Sequence, residues 1–222
     1  MRLFELSTTE ATAIRDSLEK YKLKQWGFVI FRCTYKSQEK WNRFIGLIKE
    51  HASDYFEWRR MENVHDRMAW TIIEDAAALE GASLATTAQK FAEWADGPEG
   101  RQDREGSVFD DADVLPVYGP RYTIFLHADE RSLESVMDDA KAREDGGYFC
   151  TVVRAGMALA AERERERQEE GDEQAEELED EEEELLDVRK RVKIDKLVLL
   201  YAFVLDTNTW YNIYVEDGVA EI

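Results

Sequence analysis

The chain has 222 residues, with 29 Lys and Arg against 49 Asp and Glu, a formal charge of −20, 44% hydrophobic and 11% aromatic residues. That apolar content is enough to fill a core and excludes wholesale disorder, and the length favours one domain. The charge balance excludes duplex nucleic acid as a partner, because its phosphates would meet a like-charged surface.

No apolar run approaches the roughly 18 residues of a membrane span, and residues 1–6 lack the apolar stretch of a secretory signal. The expectation is an intracellular chain, cytoplasmic or nuclear, with no membrane partner. Ser7 followed by Glu10 has capping-box spacing, and Ile14, Leu18 and Tyr21 recur at helical intervals, which predicts a first helix over 8–21. Residues 26–35 are aromatic and β-branched on both faces, as a central strand requires. Ser37 then caps a helix with Trp41, Phe44, Ile45, Ile48 and Ala52 on one side. A strand over 68–74 follows. Gly81, Ala82 and Ser83 open a helix carrying Leu84, Thr87, Ala88, Phe91 and Trp94, which Gly97 and Pro98 stop. From 97 to 120 the Gly, Asp and Pro content marks a long surface loop. Residues 121–128 read as a strand and Asp129 as a helix cap, with Leu133, Val136, Met137 and Ala140 as the buried stripe of that helix. Gly146 and Gly147 turn the chain into a strand over 148–153, and 196–205 is the most apolar strand candidate. Residues 209–215 read as a hairpin strand, with a short helix capped by Thr207 or Thr209 as the alternative.

Charge is concentrated in one place. Residues 162–187 hold 16 acidic residues against Arg163, Arg165 and Arg167, so this segment carries 13 of the 20 net negative charges. Its start alternates Glu and Arg and suits a solvated helix, whereas Glu181, Glu182, Glu183 and Glu184 repel one another and bury almost nothing. The expected organisation is one domain over 1–160 and 191–222, interrupted at 161–190 by an acidic, disordered or frayed-helical insertion, which costs little as a surface excursion. Such a segment tunes solubility or docks a basic protein or peptide, with Glu181 to Glu184 as the contact. Arg189, Lys190, Arg191 and Lys193 read as a nuclear-import or phosphate patch, or as counter-charge to the acids beside them.

Strands alternate with helices, yet no strand-to-helix junction has a glycine-rich phosphate turn. The fold expected is α+β: a mixed, largely antiparallel sheet of about five strands with helices packed on one face, ferredoxin-like or dimeric α/β-barrel-like. Trp26-Gly27-Phe28-Val29-Ile30-Phe31-Arg32-Cys33-Thr34-Tyr35, a helix with Trp41, Glu74-Asp75, Gly81-Ala82-Ser83, Phe91-Ala92-Glu93-Trp94, Arg121-Tyr122 and His127-Ala128-Asp129-Glu130 together carry a resemblance to a family of uncharacterised proteins from filamentous fungi. It covers residues 25–155 and leaves out the acidic block. The resemblance implies an intracellular fungal protein and supplies no activity and no catalytic residues.

Chemistry is sparse. His51, His65 and His127 lie on different elements without the spacing of a helical metal site, so no metal is expected. His51 reads as lying late in its helix and His65 in a loop. His127 closes a strand two residues before Asp129, and strand ends are where side chains meet in a cleft. Glu74 and Asp75 end a strand, but neighbours on a strand point to opposite faces. Asp110, Asp111 and Asp113 lack an EF-hand pattern, and with Asp138 and Asp139 they read as solvated loop acids. Cys33 and Cys150 sit in apolar runs and read as buried free thiols. Trp210, Tyr211 and Tyr214 read as core packing, with a ligand or homodimer surface as the alternative. With no recognised catalytic or cofactor motif, no cofactor is expected, and the leading reading is a non-enzymatic binding protein. The alternative is a small-molecule enzyme or ligand-binding domain whose cleft is lined by His127, Glu74 and the loop at 97–120, with His127, Glu74 and Asp129 as the catalytic candidates; a host-targeted effector is a third reading and needs a secretion signal.

Overall fold

The computed structural model describes residues 9–109, 119–144, 147–171, 188–205, 207–216 and 219–221. Helix α1 (Thr9–Lys20) buries Ala11, Ile14 and Leu18, and leads to β1 (Val29–Arg32), buried at every position. Ser37 accepts a hydrogen bond from the Lys40 N–H and starts α2 (Gln38–Arg59), which buries Trp41, Phe44, Ile48, Ala52 and Phe56. Arg60 ends α2 in the left-handed conformation at φ 54°. After α3 (Glu62–His65) come β2 (Thr71–Ile73), α4 (Ala76–Leu79), α5 (Leu84–Asp96) and α6 (Pro98–Arg104). One turn, α7 (Pro120–Thr123), precedes β3 (Ile124–Ala128), α8 (Glu130–Ser135), α9 (Asp139–Glu144) and β4 (Phe149–Arg154). The chain continues through α10 (Ala155–Gly171), β5 (Arg189–Lys193), α11 (Leu197–Phe203) and the hairpin β6 (Tyr214–Glu216) and β7 (Val219–Glu221).

The strands form one five-stranded mixed sheet in the order β2-β1-β3-β4-β5. β1 runs parallel to both β2 and β3, whereas β3–β4 and β4–β5 are antiparallel. The chain is therefore α+β, as expected, but the sheet is evenly mixed, and the antiparallel ferredoxin-like or barrel-like arrangement is replaced. Helices cover both faces. Phe31 and Phe125 meet Phe91 of α5, while Phe28 meets Tyr201 of α11 on the opposite side. The cause is topological: parallel neighbours need crossovers, and crossovers of one hand that step to opposite sides of β1 carry their helices over opposite faces.

Five local expectations change. Residues 197–203 are helical, because Leu197, Val198, Leu200, Tyr201 and Val204 are the buried set, spaced for a helix and not for a strand. The region after Gly97 is no loop at first: Pro98 sits at the start of α6, where its missing N–H costs nothing, and Gly100 packs so tightly that a Cβ would clash with Trp94 O and Ala95 O. Residues 120–123 form a helical turn before β3, and α8 stops at Ser135, so Met137 and Ala140 are exposed. Arg189–Lys193 is a sheet strand that buries Lys190 and Val192, with Lys190 5.6 Å from the Trp210 ring and Arg191 3.6 Å from the Phe149 ring. The basic run is thus part of the packing. The acidic side begins differently: α10 packs on α5 through its first turns, burying Ala155 and Ala158, and then continues through exposed charges at 163–167.

At the N-terminal ends of the parallel strands, the buried Arg121 guanidinium meets the Asp103 carboxylate at 2.6 Å, Thr71 Oγ1 at 2.7 Å and Ala69 O at 3.1 Å. This pair ties α6 to the starts of β1, β2 and β3. No described helix is long and apolar enough to cross a membrane.

Candidate functional site

Both parallel neighbours of β1 are reached by crossovers that diverge, so the ends of β1 and β3 form the topological switch point where open sheets offer a crevice. The register Phe31↔His127 puts Phe31, Cys33 and His127 on the face beneath α5. Ser83 caps α5 by accepting the Thr86 N–H, which turns Thr87 inwards. There Cys33 Sγ lies 3.3 Å from His127 Nδ1, and Thr87 Oγ1 lies 3.2 Å from the same nitrogen and 3.7 Å from the sulfur. All three residues are buried.

Burial decides the charge state of this cluster. It pushes the Cys33 thiol up to about 12 and the His127 imidazole down to about 4; Asp129 pulls the imidazole upward and Arg189 pushes it further down. At neutral pH the pair is a thiol beside a neutral imidazole, not an ion pair ready for nucleophilic attack.

Glu74, in contrast, falls on the other face. Ile73 is in register with Phe31, so the next residue lies with Arg32, and Glu74 Oε1 accepts from Arg32 Nη1 at 2.9 Å. The same guanidinium packs 4.4 Å from the Tyr35 ring and 5.0 Å from the Trp41 ring. Asp129 caps α8 by accepting the Ser132 N–H at 2.8 Å, and Asp75 caps α4. Asp103 and Arg121, which hold the region after Gly97, sit at the opposite end of the strands from His127. Among the described residues the predicted cleft is therefore not assembled: the sheet separates His127 from Glu74, and the length of the strands separates His127 from Asp103 and the rest of 97–109.

Sequence reasoning named Cys33, Thr87 and His127 separately and missed their contact, because Cys33 and His127 are 94 positions apart and meet only through the strand order. It also missed Glu130, which accepts from Thr34 at 2.7 Å and from Lys40 at 3.0 Å, with Lys36 at 3.6 Å. The Thr34 hydroxyl and then Lys40 hold this carboxyl below its ordinary range, against the pull of partial burial. His51 lies within α2 and not near its end, and His65 ends α3 stacked 5.9 Å from the Phe56 ring. Asp138 accepts the Ala140 N–H and Asp139 the Tyr148 hydroxyl, so neither is merely solvated. Trp210 is core, whereas Tyr211 is exposed beside Arg154. Cys150, like Cys33, is a buried free thiol. Asp110, Asp111, Asp113 and Glu181, Glu182, Glu183 and Glu184 lie outside the described residues. Among the described residues, no three His, Cys, Asp or Glu side chains gather as a metal set.

No protein-family model, curated protein or solved structure matches the chain. The residues themselves carry the functional argument.

Proposed function

We propose that the protein is a non-enzymatic, intracellular binding protein in which the acidic segment at 162–187 docks a basic partner and raises solubility. The observation that supports this reading is the course of α10. Its first turns are anchored on α5, and it then runs into exposed charges at 163–167, with Glu162–Arg165 and Glu164–Arg167 pairs at 3.2 Å. The neutral Cys33–His127 pair favours binding over catalysis. Kinship with the filamentous-fungal family and a cytoplasmic or nuclear location belong to the same proposal.

The test uses the full chain and its quadruple variant Glu181→Gln, Glu182→Gln, Glu183→Gln, Glu184→Gln, titrated with an oligo-arginine peptide at about 0.05 and 0.3 M salt. Weaker binding by the variant, together with loss of wild-type affinity at the higher salt, is the expected result. Equal affinities for the two chains would discard docking.

A further inference from the structure

The last ladder bond between β1 and β3 runs from the Cys33 N–H to Ala128 O at 2.9 Å, and beyond it the two chains part, one towards α2 and the other into α8. Ligands of open α/β sheets sit outside the carboxyl ends of the strands, where chains part in this way. Glu130 spans the opening. Its Oε2 accepts the Thr34 hydroxyl at 2.7 Å and lies 3.6 Å from Lys36 Nζ, while its Oε1 accepts from Lys40 Nζ at 3.0 Å. The donors thus address both oxygens of one carboxylate, and they come from the end of β1, the turn before α2 and the first turn of α2.

Thr34 is 2% exposed, and among the described residues its hydroxyl donates only to Glu130, so this donor is left unsatisfied whenever no acceptor stands there. Glu130 is held less firmly. Its side chain is 28% exposed and has a route to water, and the cap of α8 is Asp129, so the helix does not depend on where the Glu130 carboxylate lies. Lys36 is largely exposed and long enough to follow an incoming group, and Lys40 has a second acceptor in Glu134 Oε1 at 3.7 Å. What these donors prefer is visible in Glu130 itself, whose carboxyl Thr34 and Lys40 keep below its ordinary range although burial opposes them.

We propose that Thr34, Lys36 and Lys40 form a binding site for the carboxylate of a small molecule, and that the Glu130 carboxylate occupies it as a tethered stand-in which the ligand displaces. The displaced side chain turns out to water while the ligand takes over its three donors, so no buried charge loses its partner. The tether sets the affinity: a ligand binds only those molecules whose Glu130 has swung out, and its apparent affinity falls by that fraction. The site shares no residue with the acidic segment at 162–187, so the two proposals stand or fall separately.

The probe is acetate, titrated into the full chain at constant ionic strength with chloride as the balancing ion and followed by backbone amide shifts. In the wild type the signals of Thr34, Lys36 and Glu130 are expected to move saturably. Glu130→Ala, which removes the stand-in, should bind acetate about tenfold more tightly, as for a side chain that fills the site about nine-tenths of the time, and adding Lys40→Met should abolish that gain. In case the variants fail to fold, the wild type decides alone: no saturable shift at Thr34 would overturn the site. Equal affinity of wild type and folded Glu130→Ala would overturn the stand-in, and tighter binding of inorganic phosphate than of acetate at the same residues would overturn the carboxylate assignment.

Discussion

His127 makes the fold sensitive to acid in a way its neighbours determine. In the unfolded chain the imidazole titrates near 6.5, whereas burial holds it to about 4 in the folded protein. Above pH 6.5 both states are neutral and the residue costs nothing. As pH falls towards 4 the unfolded chain takes up a proton that the folded chain refuses, so stability is lost across that window. At about 1.4 kcal/mol per pH unit the loss reaches about 3 kcal/mol. Urea unfolding at about pH 7 and pH 4.5 measures it: His127→Gln should show a shallower decline than wild type, and equal slopes would mean that the ring is solvated. Arg121 and Asp103 illustrate the other way a buried charge is kept, by a paired and hydrogen-bonded partner and not by neutralisation.

Elements differ in how openly the sequence declares them. Ser37 and Ser83 announce α2 and α5, because a short oxygen-bearing side chain ahead of a helical apolar stripe has few other uses. Helix α11 was concealed by a run so apolar that both strand and helix spacing fit it; packing against α1 and α2 chose the helix. Strand β5 was hidden by its cations, since a buried Lys190 lying against Trp210 cannot be foreseen from composition. The Cys33–His127 contact was invisible for a third reason: it depends on strand order, which local patterns do not encode. The α11 assignment makes a mutational prediction. Leu200→Ala should cost about 2–5 kcal/mol, whereas Phe203→Ser, 39% exposed, should change stability by about 0.5 kcal/mol or less. Thermal unfolding of the two variants compares them, and a costly Phe203→Ser would contradict the helix.

Across the whole molecule, β1 is an interior strand of the middle layer in a three-layer stack. It pairs on both sides and is covered on both faces, while β2 lies at the edge and is only half-buried. Exchange of its amides should therefore require global unfolding, and β2 should exchange through smaller openings. Hydrogen exchange by NMR is expected to rank Ile30 and Phe31 well above Ile72; equal protection of the two strands would argue that the sheet opens as one unit.

The chain order of this stack has a consequence for synthesis. Tyr201 fits between Trp26 and Phe28, at ring distances of 5.1 and 5.3 Å, so an aromatic cluster begun near the start of the chain is completed only by α11. Until then the nascent polypeptide carries an unfinished apolar face, the state in which growing chains associate wrongly. The 16 acidic residues at 162–187 leave the ribosome shortly before α11 does. Their mutual repulsion thus accompanies the incomplete domain during the interval when neighbouring chains on a polysome are most able to stick together.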